Sequence, residues 1–152
     1  MHHLKLLTTS GGVVEPMTHQ ADLDVLKDAI EGADLVVDAL LGTGVCGAPR
    51  GQMARVIEVV VAGRRPVVSV DLPSGVDADT GNVPGACIKA AITVTFGLPK
   101  IGQMFFPGRD QCGVLRLVDI GFPEAVVEQV PACAEFLSSE WAANKIPRRP
   151  GD

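Results

Sequence analysis

Leu35-Val36-Val37-Asp38 and Val67-Val68-Ser69-Val70-Asp71 are two short apolar runs, each closed by an aspartate and each leading into a small-residue loop, Gly42-Thr43-Gly44 or Pro73-Ser74-Gly75. Between them, Met53, Val56, Ile57, Val60 and Val61 recur at i, i+3, i+4, i+7 and i+8, the stripe of a helix with one face on a core, and Gly63 follows as its stop. Strand, loop, helix and strand make one βαβ unit, a crossover that is right-handed and brings both strands into one parallel sheet. Neighbouring strands lie about 4.8 Å apart, so Asp38 and Asp71 are expected to face one small site. Ligands of open α/β sheets bind beyond the carboxyl ends of the strands, and two carboxylates there point to chemistry or to a cation. Leu35–Val37 and Val67–Val70 are near-continuous hydrophobic runs, as in strands buried on both faces.

The 152 residues suit one domain with a sizeable core, and 47% hydrophobic with 20% charged residues is ordinary for a globular protein. A net charge of -5 gives no basic face for nucleic acid. The pairs Arg64-Arg65 and Arg148-Arg149 read as solvated surface. Cys46, Cys87, Cys112 and Cys133 are scattered without CxxC spacing or a neighbouring His, so free thiols of a reducing compartment are expected and a zinc site is not. No apolar run approaches the roughly 18 residues of a membrane span, and Met1-His2-His3-Leu4-Lys5 lacks a signal-peptide core. A cytoplasmic location follows as an expectation.

Elsewhere, residues 1–7 read as the tail of a helix, broken by Gly11-Gly12 before a short strand Val13-Val14-Glu15. Leu23, Leu26 and Ile30 form a second helical stripe, with Asp22 and Asp24 at its start and Gly32 at its end. Residues 77–85 are a Gly, Asp, Asn and Pro-rich loop, followed by a short helix over 86–91 and strands over 92–96 and 114–118. The pattern dissolves from Pro131, and residues 145–152 look like a tail or linker.

Gly42-Thr43-Gly44-Val45-Cys46-Gly47 formally matches the dinucleotide fingerprint GxGxxG. That fingerprint needs a helix beginning within the glycines, whereas Pro49 and Gly51 delay it to about Gln52, and the next strand closes at Asp71, too late for the ribose acid. An ordinary Rossmann dehydrogenase is therefore disfavoured, although such a loop can hold a phosphate on its amides. Asp77-Ala78-Asp79-Thr80-Gly81 fails as a calcium loop because its glycine comes one place early and Ile88 stands where the bidentate Glu belongs. His2, His3 and His19 read as surface residues. Lys100, just past a strand end, either reaches a phosphate or faces solvent.

Five strings in order, VDALLGTG (residues 37–44), VDLPSGVDADTG (70–81), TVTFGLPK (93–100), FPGRDQCG (106–113) and DIGFP (119–123), together resemble the NAD(P)H-hydrate epimerase domain. The resemblance implies a three-layer α/β/α Rossmann-like fold with a mainly parallel sheet. It also implies interconversion of the R and S forms of hydrated NADH and NADPH (NADHX and NADPHX). By the same resemblance Asp38 and Ser74 match potassium ligands, Gly42, Thr43, Gly44, Val45, Cys46, Gly47 and Ala48 match the substrate-binding loop, and Asp71 matches the substrate-contacting, catalytic aspartate. A potassium ion suits such oxygen ligands. The implied partner is a small-molecule substrate, with no nucleic acid or membrane, and a homo-oligomer is left open.

The family begins with a strand and an Asn-Asn-Gly-Gly-Asp-Gly loop that find no match in this chain. The resemblance thus implies a partial epimerase domain over 1–130, lacking its N-terminal strand and loop and expected to be inactive and poorly soluble by itself. Residues 131–152 resemble the linker that, in a bifunctional repair enzyme, leads to an ADP-dependent dehydratase domain. A non-catalytic nucleotide-binding or scaffold remnant of the fold is the alternative.

Overall fold

The computed structural model describes residues 2–17, 19, 22–130, 134, 137 and 139–146. Two compact units divide the chain, residues 1–120 and residues 121–152.

The first unit carries α1 (His2–Thr9), α2 (Asp22–Glu31), β1 (Val36–Asp38), α3 (Gly51–Ala62), β2 (Val67–Val70), β3 (Ile92–Phe96), α4 (Gly108–Gln111) and β4 (Val114–Val118). A 3₁₀ turn spans Ile101–Gln103. The four strands form one sheet in the order β1-β2-β3-β4, every pair parallel. With its flanking helices this is the α/β, Rossmann-like architecture of helix and sheet layers. Val36 stands opposite Val67, and Asp38 opposite Ser69. The βαβ unit expected from the two apolar runs is therefore formed, with β1 and β2 as direct neighbours.

The core explains why α2 and α3 form where they do. Ile30 of α2, Ile57 and Val60 of α3, Val67 of β2 and Ile88 of the following connection are buried together. These are the positions that the two helical stripes set on one face. Val61, the last residue of the α3 stripe, lies outside this core and is 46% exposed. A second small cluster, Leu72, Val76 and Ala78, sits within the segment after β2 and gives that loop its own packing.

Three local expectations fail. Residues 13–15 form no strand, and Val13 is 81% exposed. A single three-residue run with no neighbour to pair with has no ladder to stabilise it. Residues 86–91 form no helix, because their amides are claimed by other segments: Ile88 N–H donates to the Ser74 carbonyl (2.9 Å), Ala90 to Gln111 (2.8 Å) and Ala91 to Val67 (2.8 Å). Tertiary hydrogen bonds override the weak local propensity. Finally, β1 is not buried on both faces, with Val37 62% exposed. It is an edge strand, as is β4, whose Val114, Leu117 and Val118 are also exposed.

The second unit holds α5 (Glu124–Val127) and α6 (Ser139–Lys145). Helix α6 falls in the stretch that reads as patternless; seven residues are too few for a periodic stripe to stand out. Cys133 and the tail 147–152, including Arg148 and Arg149, lie outside the described residues. No helix among the described residues is long and apolar enough to cross a membrane.

Candidate active site

Asp38 ends β1 and is 2% exposed, so its carboxylate needs compensation from hydrogen bonds. The sheet and the loop after β2 supply it. Ser69 Oγ donates to Oδ2 (2.8 Å) from the register position opposite, and Ser74 N–H donates to the same oxygen (2.9 Å). Ser74 Oγ donates to Oδ1 (2.6 Å), and the Leu40 amide lies 3.3 Å from Oδ1. Ser74 Oγ in turn accepts from the Leu41 amide (2.9 Å). One buried carboxylate thus ties the loop after β1 to the loop after β2.

Gly75 lets the Ser74 loop pack tightly against residues 86–87 of the connection to β3. Its φ of +106° lies in the region that side chains avoid, and a Cβ there would sit 2.4 Å from the Ala86 carbonyl and 2.7 Å from Cys87 Cα. The loops after β1 and β2 face each other across a narrow cleft lined by Leu41, Gly42, Val45, Gly47, Gly75, Val76 and Asp77. The residues Gly42, Thr43, Gly44, Val45, Cys46 and Gly47 are exposed, and Ala48 is half-buried. None of Gly42, Gly44 and Gly47 would bring a Cβ within 4 Å of other atoms, so packing does not demand them. An exposed, glycine-rich loop lets a ligand approach the backbone closely.

Asp71 belongs to a different hydrogen-bond set. Its φ is +67°, rare for a residue with a side chain, and it is held there from several sides. Its N–H donates to the Val94 carbonyl (2.7 Å), while its carbonyl accepts from Gln103 Nε2 (2.6 Å). The side chain receives the Lys100 ammonium, Thr95 Oγ1 (3.0 Å) and the Phe96 N–H (3.3 Å), all on Oδ1. Among the described residues nothing donates to Oδ2. Burial by itself would raise the Asp71 carboxyl, but the hydrogen bond and charge of Lys100, helped by Thr95 and the Phe96 amide, outweigh it and hold the group below its ordinary value. Asp71 is therefore a carboxylate, a base rather than an acid, near neutral pH.

Of the two readings that its position past a strand end allowed, the solvent-facing one fails: the Lys100 side chain is mostly buried. Its ammonium spends its three protons on Asp71, Thr95 Oγ1 (3.0 Å) and the Phe96 carbonyl (3.2 Å). Sequence reasoning also missed Ser69, Thr95 and Gln103. Ser69 left a signal by interrupting an apolar run and Thr95 by alternating with Thr93 along β3, whereas Gln103 left none.

Cys46, Cys87 and Cys112 are free thiols, as expected. Burial, with Asp38 and Cys112 nearby, pushes the Cys87 thiol up to about 12, so it stays protonated and inert at neutral pH. His2, His3 and His19 are exposed. No group of three or more His, Cys, Asp or Glu side chains that could hold a metal ion occurs among the described residues.

Comparison with known proteins gives this geometry a context. The family described as YjeF-related protein N-terminus matches residues 1–102, a span that includes Asp38, the glycine loop, Asp71 and Lys100. The bifunctional NAD(P)H-hydrate repair enzyme Nnr of Moorella thermoacetica is 40% identical over 97% of this chain and 28% of its own length. Its namesake in Escherichia coli is 38% identical over 79% of this chain and 23% of its own. The NAD(P)H-hydrate epimerase of Pirellula staleyi is 39% identical over 66% of this chain and 44% of its own. The chain thus spans less than half the length of these relatives.

Proposed function

Because the chain belongs to the YjeF-related protein N-terminus family, we propose that it forms the epimerase portion of a nicotinamide-nucleotide repair enzyme, interconverting the R and S forms of NADHX and NADPHX, with Asp71 as the base. The observation that carries this reading is the one-sided engagement of Asp71: a carboxylate kept ionised through Oδ1, with Oδ2 left for a ligand. The substrate carries a hydroxyl on the carbon next to a ring nitrogen. An ionised carboxylate favours ring opening over loss of water, which would need an acid. Oδ2 takes the hydroxyl proton as the oxygen becomes a carbonyl. The carbon–nitrogen bond breaks, its electron pair stays on nitrogen, and nitrogen takes the proton from Oδ2. Rotation of the free aldehyde and the reverse sequence close the ring on the other face and return Asp71 to its starting state.

In this reading the loop Gly42–Ala48 binds the substrate, its exposed backbone suiting an anionic group. Asp38 and Ser74 are the proposed potassium ligands, and their donor set suits a hard cation. Two of the hydrogen bonds on Asp38 come from backbone amides, those of Ser74 and Leu40, and two from hydroxyls, those of Ser69 and Ser74. Ser74 Oγ lies 3.5 Å from the Leu41 carbonyl, a second acceptor onto which the hydroxyl can turn and so clear Oδ1 for an ion. When bound, potassium would supply positive charge next to the substrate loop.

Asp71→Asn in the full-length protein tests the reading. An amide keeps the shape but takes no proton, so interconversion of purified R and S hydrate, followed by chromatography, is expected to fall to the uncatalysed rate. Turnover close to wild type would remove Asp71 from its role.

A further inference from the structure

Lys100 and Gln103 belong to one short segment, and both act on Asp71, from opposite ends of that residue. Gln103 is fully buried; its Oε1 accepts from the Lys100 N–H (2.8 Å) while its Nε2 donates to the Asp71 carbonyl (2.6 Å). Lys100 then reaches back with its ammonium to Oδ1 of the same aspartate. The ammonium is anchored on two further acceptors of β3, Thr95 Oγ1 and the Phe96 carbonyl, so its position does not depend on Asp71 alone. A surface ion pair between long, mobile side chains would have neither the anchors nor the buried bracket.

We propose that Lys100 is a positioning residue for the reaction, a fixed cation that saturates Oδ1 of Asp71, with Gln103 holding both residues in register, so that only Oδ2 meets the substrate. The inference rests on the epimerase reading for its chemistry, though not for its geometry. Three features support it. Asp71 is held at a positive φ, with its N–H and its carbonyl both hydrogen-bonded to neighbouring segments. Among the described residues Lys100 is the one charged group acting on the Asp71 carboxyl; Thr95 and the Phe96 amide of β3 are neutral, as is Gln103 of the 3₁₀ turn, and Asp38 of β1 is bound within its own serine cluster. The Lys100 ammonium has no proton left for a second task. Removing the cation without removing the carboxylate should therefore change when Asp71 is a base, not whether substrate binds.

The test pairs a titration with kinetics on the full-length protein. The carboxyl carbon of Asp71, identified by its absence in Asp71→Asn, is followed by carbon-13 resonance against pH in wild type, Lys100→Met and Lys100→Arg. Wild-type Asp71 is expected to titrate below the ordinary aspartate range, Lys100→Met to titrate at higher pH, and Lys100→Arg to stay near wild type. In the pH–rate profile, the acid limb of kcat should move upward in Lys100→Met, with kcat falling more than KM changes, and Lys100→Arg should recover most of that loss. A residue that only braces the fold would lower the melting temperature without moving the limb. Wild-type Asp71 titrating at or above the ordinary range overturns the proposal even where Lys100→Met does not fold, and so does an unmoved titration in a folded Lys100→Met. Absence of turnover in the wild type would instead refute the epimerase reading, leaving the titration to decide the role of Lys100.

Discussion

Asp71 combines two properties that rarely meet in one residue, a left-handed backbone and an ionised, partly buried carboxylate. Backbone outliers of this kind persist where surrounding structure over-determines them, commonly at functional sites. Asparagine tolerates the left-handed region as well as aspartate does, so Asp71→Asn is expected to fold and to separate chemistry from stability. The depressed acidity has a thermodynamic consequence. Because the folded value lies below the unfolded one, Asp71 contributes stability that is present above its unfolded value of 3.8 and is lost as pH falls through the folded value. Thermal melts from neutral to acid pH should show wild type losing its advantage over Asp71→Asn in that window; a constant gap would argue against the ion pair. Asp38 differs in kind. Replacing it with alanine leaves the Ser69 and Ser74 donors unpaired in a buried setting, at a cost of about 1–3 kcal/mol for each donor left unsatisfied. The same variant should abolish any stabilisation by potassium over sodium. An Asp38→Ala protein that still melts higher in potassium would place the ion elsewhere.

Among the elements, the strands and long helices were legible because periodicity reports burial directly. Leu23 and Ile30, then Val56, Ile57 and Val60, repeat on one helical face and occupy the core. The four strands end where a carboxylate, a glycine or a polar loop ends the apolar run. What was not legible depended on partners distant in sequence. Residues 86–91 look helical in isolation, yet their amides are taken by Ser74, Gln111 and Val67. Lys100 reads as a phosphate ligand or a solvent-facing lysine until the chain brings it back to Asp71, and Gln103 carries no local pattern at all. Two changes probe these packed elements. Ile57→Ala empties a fully buried site at the centre of the α2–α3–sheet core and is expected to cost about 2–5 kcal/mol in denaturant unfolding. Gly75→Ala forces a side chain into a positive φ and against the Ala86 carbonyl, a strain of about 1–3 kcal/mol before the clash is counted. Because Gly75 lines the cleft opposite the glycine loop, its substitution should also weaken substrate binding. Unchanged stability in Gly75→Ala would mean that the 86–87 backbone can withdraw.

At the scale of the whole molecule, the parallel sheet delivers chemistry to one edge. Its β1 and β2 ends carry Asp38 and Asp71, the glycine loop and the Ser74 loop line a cleft, and the β3 end supplies Thr95, Phe96 and Lys100. Each contribution comes from a different strand end, which is why the fold has to form before the site exists. The composite site makes its sharpest statement in the exchange of stereochemistry. Purified R hydrate is incubated with the full-length protein, and the appearance of the S form is followed by chromatography for wild type and Asp71→Asn side by side. Wild type is expected to bring the two forms to equilibrium far faster than buffer, and Asp71→Asn to match buffer. A wild-type protein that leaves the R form to drift at the uncatalysed rate, or an Asp71→Asn variant that keeps pace with wild type, would contradict an epimerase whose base is Asp71.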